Sequence, residues 1–251
     1  MSPIMISRRL RQIAQYCMPK ARVADIGSDH ALLASYLLVN EIASFVIAGE
    51  LNEGPYQAAL RQIKSLQVQD RASVRKGDGL AVLSPGEADV VCIAGMGGQL
   101  IASILEAGKE KLSGVSRLIL QPNVGEEFVR RWLMKHQWQL VDEAILEEDG
   151  IIYEILVAEP GEPLAPYTGQ ARPLEDLLRV GPFLWQKKDP ALLHKWSREL
   201  EKWRQIREQI KRSGRTENEA RIEQINREIE WIEEVITCLQ TGSTLSNTSK
   251  N

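Results

Sequence analysis

The sequence predicts an α/β protein: a mainly parallel sheet covered by helices on both faces, with an antiparallel hairpin at one edge, followed by a C-terminal pair of long helices. Three observations carry this. Up to about residue 160, short apolar runs alternate with amphipathic stretches, as strands alternate with crossover helices. Between 138 and 157 two strand-like runs follow one another with no helix between them, which signals a hairpin. From residue 192 onward, apolar residues recur at intervals of three and four, the spacing of helical seams.

Taken in order, the expected parallel strands are Arg22–Ile26, Phe45–Gly49, Ser73–Arg75, Asp89–Ala94 and Arg117–Gln121. The first is followed at once by the next element. Pro55–Leu66 opens with proline at a first helical position and puts Ala58, Ala59, Ile63 and Leu66 on one face. Gly98–Glu106 and Glu127–Lys135 show similar apolar stripes. Trp138–Leu146 and Ile151–Val157, separated by Glu147-Glu-Asp-Gly150, form the hairpin. Trp132 and Trp138 read as core or hairpin packing.

Six of the eleven prolines fall in residues 160–190, which excludes one long helix there. The domain boundary is placed in this stretch, with residues 1–162 as the sheet domain and 163–251 as linker and helical domain. In the latter, Leu193, Trp196, Leu200, Trp203, Ile206 and Ile210 form one seam, broken by Ser213-Gly214. Thr216 and Glu219 make a capping box. Ile222, Ile225, Ile229, Ile232, Ile236 and Leu239 follow at heptad spacing. Two helices with a short connection most simply form an antiparallel pair; the 222–239 seam is open to pairing within the chain or between chains, with a monomer slightly favoured. Residues 241–251 read as a frayed tail.

The net charge of −3 hides strong segregation. Residues 1–22 carry Arg8, Arg9, Arg11, Lys20 and Arg22 with no acid, whereas 141–162 carry eight acids and no base. Residues 187–215 hold ten bases against four acids. A phosphate backbone responds to such local patches rather than to the net figure, so RNA is an admissible partner. Apolar runs of about five residues exclude a membrane span of roughly 20. Three scattered cysteines favour neither a disulfide framework nor a metal site, and a cytoplasmic location is expected.

The chemistry gathers at the strand ends. The first strand runs into Asp25-Ile-Gly27-Ser28-Asp29-His30. A dinucleotide fingerprint requires glycine at the position of Asp29, because a pyrophosphate sits on bare amides there. A carboxylate in that place repels a diphosphate and suits a cation, which points to S-adenosylmethionine, with its ammonium and sulfonium, rather than NAD. Glu50 ends the second strand, where an acid accepts from a ribose diol. Asp78, in Lys76-Gly-Asp-Gly79, is placed to accept from an adenine amino group, and Gly95-Met-Gly-Gly98 forms a glycine-rich turn beside the donor. His30 reads equally as a helix-start hydrogen-bonding residue or as a catalyst. The expected donor site is Asp25, Gly27, Ser28, Asp29, His30, Glu50, Leu51, Asp78, Gly79, Ala94, Gly95 and Met96. Asp29 and Asn123 are the catalytic candidates, and Arg8, Arg9, Arg11, Lys20 and Arg22 the RNA contacts, with the basic face of Lys195–Arg212 as a further one.

Asp25-Ile-Gly-Ser-Asp-His-Ala31, Ala48-Gly-Glu50, Gly77-Asp-Gly79, Ile93-Ala-Gly-Met-Gly-Gly98, Leu120-Gln-Pro-Asn123 and Tyr153-Glu-Ile155 together resemble the bacterial tRNA (adenine-22-N1)-methyltransferase family over the first 160 residues. The helical hairpin is similar to that family's C-terminal coiled coil. The resemblance implies a Rossmann-like class I methyltransferase fold, S-adenosylmethionine as methyl donor, and N1 of an adenine in tRNA as acceptor. Ser28 and Ala34 stand where Thr and Pro are expected in the family; Ser28 keeps the hydroxyl. The rival readings are a NAD-dependent oxidoreductase on a related fold, a non-catalytic RNA-binding adaptor, and methylation of a different acceptor.

Overall fold

The computed structural model describes residues 4–212 and 219–244. The chain divides into two compact units, Met1–Phe183 and Leu184–Asn251.

The first unit is built on a seven-stranded sheet: β1 (Ala21–Ile26), β2 (Ala43–Glu50), β3 (Ala72–Lys76), β4 (Val90–Met96), β5 (Arg117–Pro122), β6 (Trp138–Glu148) and β7 (Ile151–Pro160), in the order β3-β2-β1-β4-β5-β7-β6. β1 to β5 pair in parallel, and β7 runs antiparallel to both neighbours. The hairpin turn is Asp149-Gly150, both at positive φ (51° and 74°), the backbone that a two-residue turn needs to follow the strand twist.

Strand residues alternate between two cores. Ala24, Ile26, Val91, Ile93, Leu118 and Leu120 face one cluster, packed with Ile101 and Leu105 of α4 (Gly98–Ala107) and Val129 and Leu133 of α5 (Glu126–Lys135). Val23, Val46, Ala48, Val90, Cys92 and Ile119 face the other. There they meet Ile13 of α1 (Arg8–Tyr16), Leu33 and Leu37 of α2 (Leu32–Val39), and Ala59 and Ile63 of α3 (Glu53–Ser65). Trp132 and Trp138 are both buried in the first cluster.

Most of the proline-rich stretch, up to Phe183, belongs to this unit, and the division falls within the 160–190 stretch where the linker was placed. This part forms a short 3-10 turn and α6 (Leu174–Val180). The cause is a buried ion cluster. Arg130 of α5 is fully enclosed, ion-paired with Glu143 of β6 and Glu154 of β7 at 2.6 Å each, and donates to the carbonyls of Leu178 and Arg179. Glu143 also accepts from the amide of Phe183. A buried charge needs such partners, and here they include the backbone of the incoming segment.

The division between units falls inside α7 (Pro182–Lys187). The second unit is built on α8 (Pro190–Arg212) and α9 (Glu219–Thr244), which pack on each other. Trp196 meets Trp231 edge to face at 5.0 Å, while Lys188 reaches the carbonyl of Cys238, so the pair is antiparallel. Buried positions are Leu192, Trp196 and Leu200 on α8, and Ile225, Ile229, Ile232, Val235 and Leu239 on α9. Val235 is fully buried and Ile236 only partly so, one position off the expected heptad seam. Helix continues over 241–244, where a frayed tail was expected; the rest of that tail, the Ser213-Gly214 break and Thr216 lie outside the described residues.

Candidate active site

Because β1, β2, β4 and β5 run parallel, their carboxyl ends share one edge: Ile26 lies beside Gly49 and Ile93, and Met96 beside Pro122. A cavity of about 540 Å³ opens there. Asp25, Gly27, Ser28 and Asp29 form one wall, Ala94–Met96 and Asn123 another, and Arg9, Ile151 and Tyr153 a third.

Asp25 is buried, and its Oδ2 has no hydrogen-bond partner; nor has Glu50 Oε1. Burial pushes the Asp25 carboxyl up to about 7, opposed by the Ser28 hydroxyl and reinforced by the charge of Glu50. Glu50 is raised for the same leading reason, offset in part by the backbone amide of Asp29. Gly27 has φ +71°, a backbone that favours glycine, and a Cβ there would stand 2.2 Å from the flexible end of Met96, its Cε. Asp29, His30 and Ala31 follow with φ of 43°, 64° and 56°. Three successive non-glycine residues in the left-handed region store strain, which concentrates at functional sites. Asp29 lines the cavity with its side chain largely exposed, and its carboxylate meets His30 Nδ1 at 2.8 Å.

The opposite wall is a clamped bulge. The β4–β5 register shifts between Ala94 and Met96, leaving Gly95 out of the ladder at φ +79°, as a bulge glycine does. Two side chains of the β5 end secure it. The Gly95 amide donates to Gln121 Oε1 (3.1 Å), and the Gly95 carbonyl accepts from Asn123 Nδ2 (2.9 Å). Gln121 Nε2 donates in turn to Asn123 Oδ1, and the Asn123 amide donates to the Met96 carbonyl. Asn123 is thus engaged at both ends of its carboxamide and braces the turn.

The remaining candidates spread along the same edge or leave it. Glu50, Leu51, Asp78 and Gly79 lie at the ends of β2 and β3, outside the wall of this cavity. Leu51 and Asp78 are exposed. Arg9 turns inward, donating to Gln121 Oε1 and lying 5.2 Å from the Tyr153 ring centroid. Arg8 and Arg11 are exposed. Lys20 and Arg22 sit at the amino edge of the sheet, paired with Glu41 and Asp89, so the structure does not bring them to the site with the other basic residues. Gln121 and Tyr153 were not foreseen as site residues; the signal for Gln121 was a polar side chain closing the apolar run Leu118-Ile-Leu120, and it is fully buried.

This strand order, with β7 alone reversed and an acid-lined, glycine-turned cavity at the carboxyl edge, defines a class I S-adenosylmethionine-dependent methyltransferase. The chain belongs to the tRNA (adenine(22)-N(1))-methyltransferase family, TrmK, whose model matches residues 23–234. It is 47% identical over 237 residues to the Bacillus subtilis tRNA (adenine(22)-N(1))-methyltransferase, covering 94% of this chain and 99% of that one. The crystal structure of B. subtilis TrmK superposes with a TM-score of 0.86 at 47% identity, over 93% of this chain and 99% of that one. A Streptococcus pneumoniae protein solved in complex with S-adenosyl-L-methionine gives 0.80 at 39% identity, over 92% and 100%. Among the described residues, no helix is long and apolar enough to cross a membrane.

Proposed function

We infer that this protein transfers a methyl group from S-adenosylmethionine to N1 of adenine 22 in tRNA. One observation carries the reading. In a chain of this family, two buried carboxylates, Asp25 and Glu50, keep oxygens without partners at the edge where the glycine turn Gly95–Gly98 begins. Buried acceptors are normally satisfied, so these suit a ligand that brings donors, as S-adenosylmethionine does with its ammonium and ribose hydroxyls. When bound, it supplies a methyl group on a positive sulfonium. Asp25 and Glu50 hold those donors, while Asp78 and Leu51, farther along the edge, serve the adenine end.

Adenine N1 carries an in-plane lone pair, so no side chain has to remove a proton to create the nucleophile. The residues work by alignment, which contributes on the order of 7–11 kcal/mol when two reactants are held in attack geometry. The Gln121–Asn123 clamp fixes the Gly95–Met96 backbone against which the acceptor lies. N1-methyladenine is cationic until it loses an N6 proton, and Asp29, the exposed carboxylate on the cavity wall, stabilises that charge. A target in a stem has to be extruded first, at a cost of a few kcal/mol. Arg8 and Arg11 hold the phosphate backbone, positioning it without reading sequence. With tRNA as substrate, the protein works in the cytoplasm.

The test is mass spectrometry of nucleosides from unmodified tRNA incubated with protein and methyl donor. N1-methyladenosine forms with adenine at position 22 and disappears when guanine replaces it. No methylated product, or product independent of position 22, overturns the reading.

A further inference from the structure

Beside the donor cavity lies a second one, of about 510 Å³, that starts where the Gly95–Gly98 turn ends. It is lined by Gly97, Gly98 and Gly125, by the apolar Leu100, Val124 and Phe128, and by the uncharged polar Gln99 and Ser103. The three apolar side chains are 53%, 68% and 51% exposed, too open to be part of the core, and no titratable side chain lines the space. A contiguous exposed apolar surface marks a binding site more often than chance exposure does.

The two cavities share one turn. Met96 lines the first and Gly97 the second; Asn123 lines the first and Val124 the second. The Gly98 amide donates to the Val124 carbonyl at 2.8 Å, tying the two loops together. A Cβ on Gly98 would stand 1.9 Å from the Gly125 carbonyl oxygen, so this part of the lining stays bare and lets a flat ring approach.

We propose that this shelf is a stacking platform for an unpaired base of the tRNA, with Phe128 as the ring that the base lies against. The proposal rests on the activity inferred above and deepens it. Extruding a nucleotide for methylation exposes the faces of that base and of its neighbours. An uncharged, mainly apolar shelf next to the donor cavity is the surface that receives such a face. Aromatic stacking tolerates any base, so Phe128 contributes to grip and alignment, leaving the choice of atom to the Gly95 turn.

The experiment compares Phe128→Ala, Phe128→Tyr and Phe128→Leu in the full chain by steady-state methylation of tRNA, with donor affinity measured by calorimetry. Phe128→Ala is expected to raise the KM for tRNA by about five- to one-hundred-fold, the range of a lost base–aromatic stack. Donor Kd and melting temperature stay unchanged, Tyr keeps the wild-type KM, and Leu does not restore it. Val124→Ser, on the same shelf, raises KM in the same direction and covers the case of a Phe128 variant that folds poorly. 2-Aminopurine placed at position 22 or at either neighbour shows which base stacks: its fluorescence is quenched on binding the wild-type protein and recovers with Phe128→Ala. An unchanged KM in Phe128→Ala, full rescue by Leu, or no quenching at any of the three positions overturns the shelf; a surface for a protein partner would give the first result. These outcomes leave the methylation of adenine 22 by the wild-type protein intact, whereas absence of that product takes down the activity itself.

Discussion

Arg9 Nη1 donates to Gln121 Oε1 across 2.5 Å, and the same oxygen accepts from the Gly95 amide. One carboxamide thus joins the N-terminal helix to the Gly95 turn. The basic cluster at the N-terminus therefore splits by position: Arg9 faces the cavity, whereas Arg8 is exposed.

Gln121→Ala removes the buried oxygen that both the Gly95 amide and Arg9 donate to. A lost hydrogen bond costs about 0.5–1.5 kcal/mol, and the turn loosens. The expected result is a kcat at least ten-fold lower, with tRNA affinity within about two-fold of wild type. Single-turnover kinetics with a tRNA binding assay check it; equal losses in binding and rate would assign Gln121 to RNA contact.

Asp25 sets a pH dependence. Its ordinary value is 3.8 and its folded value about 7. Between those limits the folded protein keeps a proton that the unfolded chain releases, so stability falls as pH rises from about 4 to 7. Asp25→Asn cannot ionise. Its melting temperature is expected to exceed that of wild type at pH 8 in the absence of donor, while donor affinity drops at least ten-fold. Thermal melts from pH 4 to 8 with and without donor test this; an unchanged slope in the variant removes Asp25 as its source.

Arg130→Ala strands two buried carboxylates and releases the carbonyls of Leu178 and Arg179. Breaking a buried pair from one side costs roughly 3–5 kcal/mol. Denaturant unfolding is expected to show that loss, and proteolysis to cut first within 163–183. A variant as stable as wild type would mean the cluster contributes nothing to holding the segment.

Arg8→Glu is expected to weaken tRNA binding several-fold and to lower the salt dependence of log K by about one unit. Lys20→Glu, at the far edge beside Glu41, leaves both unchanged. A fluorescence titration over a range of salt separates them; equal effects would place RNA on both edges of the sheet.

The sheet was legible because its parallel strands are short apolar runs alternating with amphipathic helices. Val90 to Ile93 reads as buried on both faces and is, and the Glu147–Gly150 interruption marks the hairpin turn. The Asp25, Gly27, Asp29 wall was legible from sign and spacing alone. What sequence hid were relations between distant segments. The α1 helix was masked by its charges, although Ser7 caps it and Leu10, Ile13, Ala14 and Cys17 lie along one face. The inward turn of Arg9 depends on Gln121, 112 residues away. The packing of 163–183 depends on Arg130, a basic residue on a helix surface by its sequence and a fully enclosed one in the fold.

The hairpin has one more effect. Tyr153 and Ile151 of β7 complete a cavity whose other walls start at Arg9 and Asp25, and Glu148, at the end of β6, accepts from the first two amides of α1. During synthesis the pocket therefore stays open on one side until the ribosome has released the last strand of the sheet. A nascent chain shorter than that has the glycine turns but no closed place for the methyl donor.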